Sequence, residues 1–254
     1  MDNEIIFWFL ATLAAVFVGM GKGGLPVIAT LAVPSLSLVI SPIAAAGLLL
    51  PVYIVSDVFA LSAYRRNYDK KVLKVGMVGM TIGVAIGWLT SHIVIDWIVT
   101  SLIGFMGAVF AIRQIFIQTP TSKITNKINY KAGYFWCTVS GFTSFISHIG
   151  GPPWQIFTIP IGLPKVVFVG TSVMAFSYCN VIKLVPYVWL GQIDLESLYV
   201  SLYLMVPASI AVFAGVNVVK LIPERLFFKI IAWALMLISL KLIWDGLRVP
   251  LDLG

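Results

Sequence analysis

The sequence predicts an all-α polytopic membrane protein made of two inverted repeats, each with a broken-helix hairpin followed by three transmembrane helices. Its 254 residues are 60% hydrophobic and only 11% charged, and the mean hydropathy is +1.01. Soluble domains carry roughly 25% charged residues, so this composition indicates a membrane protein. Two glycine-rich interruptions of long apolar runs, one near the start and one at mid-chain, indicate the repeat.

The first repeat is predicted at residues 1–120 and begins with a hairpin at 5–40, whose two apolar arms meet at the break Gly19–Pro26. The second arm is short for a span, which needs about 20 residues. Three full spans follow, at residues 44–64, 72–90 and 93–117. The second of these spans has glycines on one helix face, which suits close packing against a neighbouring helix or a second copy in a homodimer. These glycines are Gly76, Gly79, Gly83 and Gly87.

The second repeat, predicted at residues 132–254, has the same plan. A polar linker at 121–131 precedes it, and its hairpin at 132–161 is broken at Ser147–Gln155. Three spans follow, at residues 166–190, 198–219 and 227–243. The segment Gly47–Asp57 aligns with Gly170–Asn180, which pairs glycine with glycine and a carboxylate with an amide.

The basic residues predict the orientation of the chain. They gather in loops at 65–74, 113–131 and 220–229, and loops rich in Lys and Arg lie on the cytoplasmic side. The net charge of +7 therefore indicates membrane topology and no nucleic-acid partner. The linker is then cytoplasmic, both termini are external, and the two hairpins enter from opposite faces as an inverted repeat. The acidic start, Met1–Glu4, lacks the basic region of a cleavable signal, so the first segment is expected to be retained.

The two breaks predict a binding site for an anion. Backbone that leaves a helix inside a bilayer must be buried in protein or line a cavity, and paired breaks of this kind mark the binding sites of transporters. The first N–H groups of a helix carry partial positive charge and bind anions. We therefore expect the segments after the two breaks to hold one anion jointly. The backbone contributors are Gly21, Gly23, Gly24, Gly150 and Gly151.

One basic side chain accompanies each break. Lys22 is expected to face a cavity or a partner because a lysine at membrane depth is costly, and the alternative is that it snorkels to the surface. His148 could donate to an anion or carry a proton, or remain a neutral histidine hydrogen-bonded to backbone. Gln155 is a candidate neutral donor.

Asp57 and Asn180 lie deep in their spans. Asp57 is interpreted as a proton-coupling site or as a counter-charge to Lys22 when substrate is absent, and the alternative is a structural ion pair with Lys22 or Lys183. Asn180 is expected either to bind substrate or to tie helices together. Lys183 lies toward the end of its span, where snorkelling is expected.

The sequence lacks the signatures of soluble enzymes, of metal binding and of ATP binding, so no cofactor is expected. Ser147 and His148 are adjacent, which is poor geometry for a nucleophile and its base. The leading hypothesis is a secondary transporter of a small anion working by alternating access. The alternatives are an anion channel with the same site and, less favoured, a membrane-embedded enzyme with His148 as general base.

The glycine-rich break followed by proline, its repetition at mid-chain and the length near 250 residues resemble the TauE/SafE family of sulfite exporters and organosulfonate transporters. The first run reads Gly21-Lys22-Gly23-Gly24 and the second His148-Ile149-Gly150-Gly151. The resemblance covers essentially the whole chain. It implies a multi-pass carrier in the bacterial inner membrane, with sulfite, a sulfonate such as sulfoacetate, or thiosulfate as substrate.

Overall fold

A computed structural model of the chain describes residues 2–92, 96–112, 115–116 and 127–252. In those ranges the regular structure is helical, which confirms the predicted all-α class. The helices are α1 (Asp2–Lys22), α2 (Pro26–Ala29), α3 (Ala32–Leu36), α4 (Pro42–Tyr64), α5 (Lys70–Thr90), α6 (Asp96–Ile112), α7 (Tyr130–Ser147), α8 (Gly151–Thr158), α9 (Lys165–Trp189), α10 (Leu195–Leu221) and α11 (Glu224–Asp252), with a 3-10 turn at Ile159–Ile161. Six of them are long and apolar enough to cross a membrane: α1, α4, α5, α9, α10 and α11.

At most of their ends, the predicted spans agree with the observed helices to within a few residues. The exception is α11, which continues nine residues beyond the predicted end at 243, since 252 − 243 = 9. Its polar end stays helical where Lys241 and Asp245 form an ion pair one turn apart on an exposed face. The ends of the span predicted at 93–117 and residues 121–126 of the predicted linker lie outside the described residues.

The first hairpin turns later than predicted. Helix α1 continues to Lys22, so Gly19 and Gly21 lie inside it and not in the break. Both glycines are needed for packing: a Cβ on Gly19 would lie 2.0 Å from the carbonyl oxygen of Ala208, and a Cβ on Gly21 would lie 2.3 Å from Cβ of Ala29. The chain reverses at Gly24, whose φ is +119°, a value that favours glycine. Helices α2 and α3 then pack back on α1.

The chain forms two compact units, and each draws on both halves of the sequence. Unit 1 comprises residues 1–73 and 166–222. In it, α1 packs against α10 and α10 packs against α4, around a core of small and branched residues that includes Ala14, Val18, Leu49 and Ala208.

Unit 2 comprises residues 74–165 and 223–254. Helix α6 packs along α11, and α7 folds back against α8. A small apolar cluster within this unit brings together Ala111, Leu235 and Met236.

The glycine face of α5 packs inside unit 2. Cβ atoms on Gly79 and Gly83 would lie 2.5 Å from Cβ of Cys137 and 2.0 Å from the carbonyl oxygen of Thr138. A Cβ on Gly87 would lie 2.8 Å from Cδ1 of the Phe145 ring. Of the two uses predicted for this face, close packing against a neighbouring helix is therefore the one observed, and the homodimer stays a prediction.

Gly83→Ala is expected to lower the melting temperature of the detergent-solubilised protein more than Gly87→Ala. The added Cβ at position 83 meets backbone atoms, which move only with their helix, whereas at position 87 it meets the side chain of Phe145. Overpacking of this kind costs about 1–3 kcal/mol. Equal melting temperatures for the two variants would contradict the packing described here.

Candidate functional site

A buried carboxylate lies at the centre of unit 1. Asp57, on α4, is 3% exposed. One carboxylate oxygen accepts a hydrogen bond of 2.6 Å from the Ser177 hydroxyl, and the other accepts one of 2.8 Å from the Asn180 side-chain amide. Nζ of Lys22 lies 2.6 Å from Oδ1 of the same carboxylate. The carboxylate is thus held by one cation and two neutral donors, as a buried charge requires.

Lys22 reaches this carboxylate from the last residue of α1. Its side chain is 8% exposed, so it does not snorkel to the surface. The ammonium lies 5.3 Å from the ring centroid of Tyr53, a cation–π distance, and the Tyr53 hydroxyl donates to the carbonyl of Ala29 at 3.2 Å. Among the described residues the ammonium is paired with Asp57 by charge but has no hydrogen-bond partner. An ammonium carries three donors, so Lys22 has capacity for a further anion.

Lys183, on α9, contributes a second positive charge. It is fully buried, so the expectation that it snorkels is wrong. Its Nζ lies 5.9 Å from the ring centroid of Tyr187, and Lys183 follows Asn180, which donates to Asp57, by three residues on the same face of α9. Two ammonium groups and one carboxylate therefore lie within electrostatic range of one another.

The site lies midway along an antiparallel pair of helices. A Cβ on Gly47, near the start of α4, would lie 1.8 Å from the carbonyl oxygen of Gln192, just after α9. In the same way, a Cβ on Gly170, near the start of α9, would lie 1.8 Å from the carbonyl oxygen of Asn67, just after α4. Asp57 and Asn180 each follow their glycine by ten residues, since 57 − 47 = 10 and 180 − 170 = 10. Ten residues of helix span about 15 Å, half of a hydrocarbon core of about 30 Å.

The first break does not present the free amides that the sequence predicted. The N–H groups of Gly23, Gly24 and Leu25 donate to carbonyls of the last turns of α1, which is a helix C-terminal capping pattern. The Tyr64 hydroxyl donates to the carbonyl of Gly23 at 2.7 Å. The Lys22 ammonium is therefore the charged donor at the first break in this conformation, and the anion-binding roles predicted for Gly21, Lys22, Gly23 and Gly24 stay predictions.

The second break, in unit 2, is fixed by hydroxyl groups of α7. Ser140 donates to the carbonyl of Gly150 at 2.7 Å, and Thr143 donates to that of Ile149 at 3.0 Å. His148 ends α7 with φ of +56°, a left-handed conformation that is uncommon outside glycine, and its side chain is half-buried. Strain of this kind persists only where surrounding contacts fix it.

Helix α8 starts the return arm of the second break with few free donors. Positions 152 and 153 are prolines, which have no N–H, and the N–H of Trp154 donates to the carbonyl of Gly150. The N–H of Gly151 is then the backbone donor left near the start of α8. The backbone N–H groups predicted to hold an anion at this break are therefore fewer than expected. Gln155 is buried, and its side-chain oxygen has no partner among the described residues. An amide oxygen accepts hydrogen bonds and does not donate to an anion, so the donor role predicted for Gln155 stays a prediction.

Several residues of the site were not singled out from the sequence. Ser177 lies three residues before Asn180, and Tyr53 lies four residues before Asp57, so each shares a helix face with a predicted residue. That spacing is the signal that could have identified them. Lys183 follows Asn180 by three residues on the same face.

The part of the chain that the structure describes is helical, with six bilayer-length helices and buried charged side chains, as in a polytopic membrane protein. Residues 5–242 match the family model described as sulfite exporter TauE/SafE. The chain belongs to this family. It is accordingly a transporter and not an enzyme. Searches of curated proteins and of solved structures gave no match.

Proposed function

We propose that the chain is a secondary transporter that moves a small sulfur-containing or organic anion across the bacterial inner membrane by alternating access. The observation that carries the proposal is the buried group of Lys22, Asp57 and Lys183, in which two ammonium groups accompany one carboxylate. Uncompensated charge at membrane depth is costly and marks substrate pathways. An anion between the two ammonium groups would relieve that cost.

The chemistry of the site favours a compact oxyanion. Lysine ammonium groups bind as compact point charges, and the Ser177 hydroxyl and the Asn180 amide are neutral donors beside them. The family description names sulfite. Sulfite, thiosulfate and sulfonates such as sulfoacetate present several negatively charged oxygens on one small group, so they are the proposed substrates.

Asp57 acts in this proposal as the internal competitor of the substrate. Its Oδ1 lies 2.6 Å from Nζ of Lys22, and an arriving anion takes its place beside the ammonium. Protonation of Asp57 would also release Lys22, so the carboxylate is the candidate coupling group. His148 and Gln155 at the second break are proposed to contribute to substrate binding.

The reciprocal contacts of α4 and α9 support the proposed inverted repeat. The two aligned glycines each meet a carbonyl beyond the end of the other helix, and the aligned pair Asp57 and Asn180 is joined by a hydrogen bond. A two-fold axis in the membrane plane relates inverted repeats, and such an axis brings equivalent residues together where it passes. External termini and cytoplasmic basic loops remain part of this proposal.

Purified protein in proteoliposomes is expected to catalyse saturable uptake of at least one of sulfite, thiosulfate, sulfoacetate, taurine and acetate. The same anion should raise the melting temperature, because a ligand that binds only the folded state stabilises it. Lys241→Gln is the matched control, since Lys241 pairs with Asp245 on an exposed face of α11. It should transport like the wild type. Failure of the wild type to move any of these anions would refute the proposal, and large single-channel currents would favour a channel.

A further inference from the structure

The buried cluster carries one net positive charge. Among residues whose side chains are described, the buried charged groups are Lys22, Asp57 and Lys183, together with Lys165 at the first residue of α9. Lys22 and Asp57 form an ion pair, and Lys183 lies one helical turn from Asn180, which donates to Asp57. The formal charges of the three sum to +1. The other titratable groups that interact with the cluster are Tyr53, Cys179 and Tyr187. Phenols and thiols of this kind are neutral at pH 7. On the neighbouring α10, the described titratable residues Tyr199, Tyr203 and Lys220 are exposed.

The cost of buried net charge selects the charge of the cargo. An uncompensated charge in a low-dielectric interior is unfavourable by several kcal/mol, so the loaded cluster is most stable when it is neutral. A monoanion neutralises the cluster while Asp57 stays ionised. A dianion neutralises it only when Asp57 also binds a proton.

We propose that the group of Lys22, Asp57 and Lys183 takes up one net negative charge per turnover, either as a monoanion alone or as a dianion together with one proton on Asp57. This inference rests on the proposed transport function and adds to it a rule for substrate charge and proton stoichiometry. The proton comes from water on the loading side and bonds to a carboxylate oxygen of Asp57. It leaves to water on the other side when the dianion departs, and Lys22 then returns to Asp57.

The direction of transport follows from this rule. Every turnover moves one negative charge, whichever anion is carried, so an inside-negative membrane potential drives the anion outward. One elementary charge at 100 mV sustains an outside-to-inside concentration ratio of about 50-fold. Export then needs no gradient of a second ion.

Charge stoichiometry in proteoliposomes tests the rule. With the potential set by a potassium gradient and valinomycin, the voltage at which net flux reverses gives the charge moved per anion. Thiosulfate, a dianion, and methanesulfonate, a monoanion, are both expected to carry one net negative charge. Thiosulfate alone should move one proton, followed with an internal pH dye. Two charges per thiosulfate with no proton would overturn the rule while leaving the transport function intact, whereas flux of neither anion would refute the transport function itself.

Substitutions in the cluster change its net charge and its proton acceptor separately. Asp57→Asn raises the net charge to +2, so thiosulfate should move with two charges and no proton. In Asp57→Asn with Lys183→Gln the charge returns to +1, so methanesulfonate flux should exceed thiosulfate flux by at least about 10-fold, the factor for about 1.4 kcal/mol. Lys165→Gln, which removes a buried lysine outside the cluster, should leave both stoichiometries unchanged.

Binding measurements keep the inference testable if a variant does not transport. Calorimetry of thiosulfate binding in two buffers of different ionisation enthalpy gives the number of protons taken up. The expected values are one for the wild type and none for Asp57→Asn. Equal proton uptake by the two proteins would overturn the assignment to Asp57.

Discussion

Lys22→Gln is expected to lower anion transport by about 100-fold or more and to destabilise the protein by less than the about 3–5 kcal/mol of an uncompensated buried charge, because buried Lys183 remains near Asp57. The substitution leaves the Asp57 carboxylate buried without its nearest counter-charge, since Nζ of Lys22 lies 2.6 Å from it. The loss of transport corresponds to about 2.7 kcal/mol of lost interaction with the anion. Proteoliposome uptake and denaturation in detergent measure the two effects separately.

Asp57→Asn in the Lys22→Gln background separates stability from function. The double variant has no carboxylate that lacks its counter-charge, and Lys183 leaves its cluster at the wild-type net charge of +1, so most of the stability is expected to return. Transport is not expected to return, because the Lys22 ammonium is absent. Lys241→Gln again provides the control, since exposed ion pairs contribute about 0–1 kcal/mol. Wild-type uptake by Lys22→Gln would exclude Lys22 from the site.

The sequence predicts most of the transmembrane architecture because the bilayer restricts it so strongly. A span must satisfy its own backbone and be about 20 residues long, so hydropathy alone places α4, α5, α9 and α10 within a few residues. The alignment of Asp57 with Asn180 was visible for a similar reason, since polar residues are rare in apolar runs. The structure adds that these two side chains are hydrogen-bonded to each other.

Tertiary packing determined what the sequence could not predict. Glycine commonly breaks helices in water, yet Gly19 and Gly21 lie within α1. They do so because α10 approaches α1 closely at Gly19 and α2 approaches it closely at Gly21. Lys183 lies two turns from the end of α9, where a lysine can reach the surface. It is nevertheless buried beside Tyr187 and the ion pair. Neither outcome follows from composition, because each depends on which helix lies alongside.

Gly47→Ala and Gly170→Ala are expected to open opposite ends of the helix pair α4 and α9. Each added Cβ would lie 1.8 Å from a carbonyl oxygen of the loop that follows the other helix, so the backbone must separate there. Asn67 lies in the loop predicted to be cytoplasmic, and Gln192 lies in the loop predicted to be external. Gly170→Ala should therefore expose the site to the cytoplasm, and Gly47→Ala to the outside. Both should reduce transport at least about 10-fold, because overpacking of about 1–3 kcal/mol hinders closure of the opened end.

The native Cys179 reports which end has opened. It is fully buried beside Asn180, and Cys137→Ala makes it the sole cysteine of the chain. A membrane-impermeant maleimide should label Gly47→Ala from outside and Gly170→Ala from the cytoplasmic side. Gly87→Ala is the control, since its Cβ would meet the side chain of Phe145 on α7 and not the loops that follow α4 and α9. Labelling of both variants from the same side would contradict the two-fold arrangement, because equivalent contacts in inverted repeats must face opposite sides of the membrane.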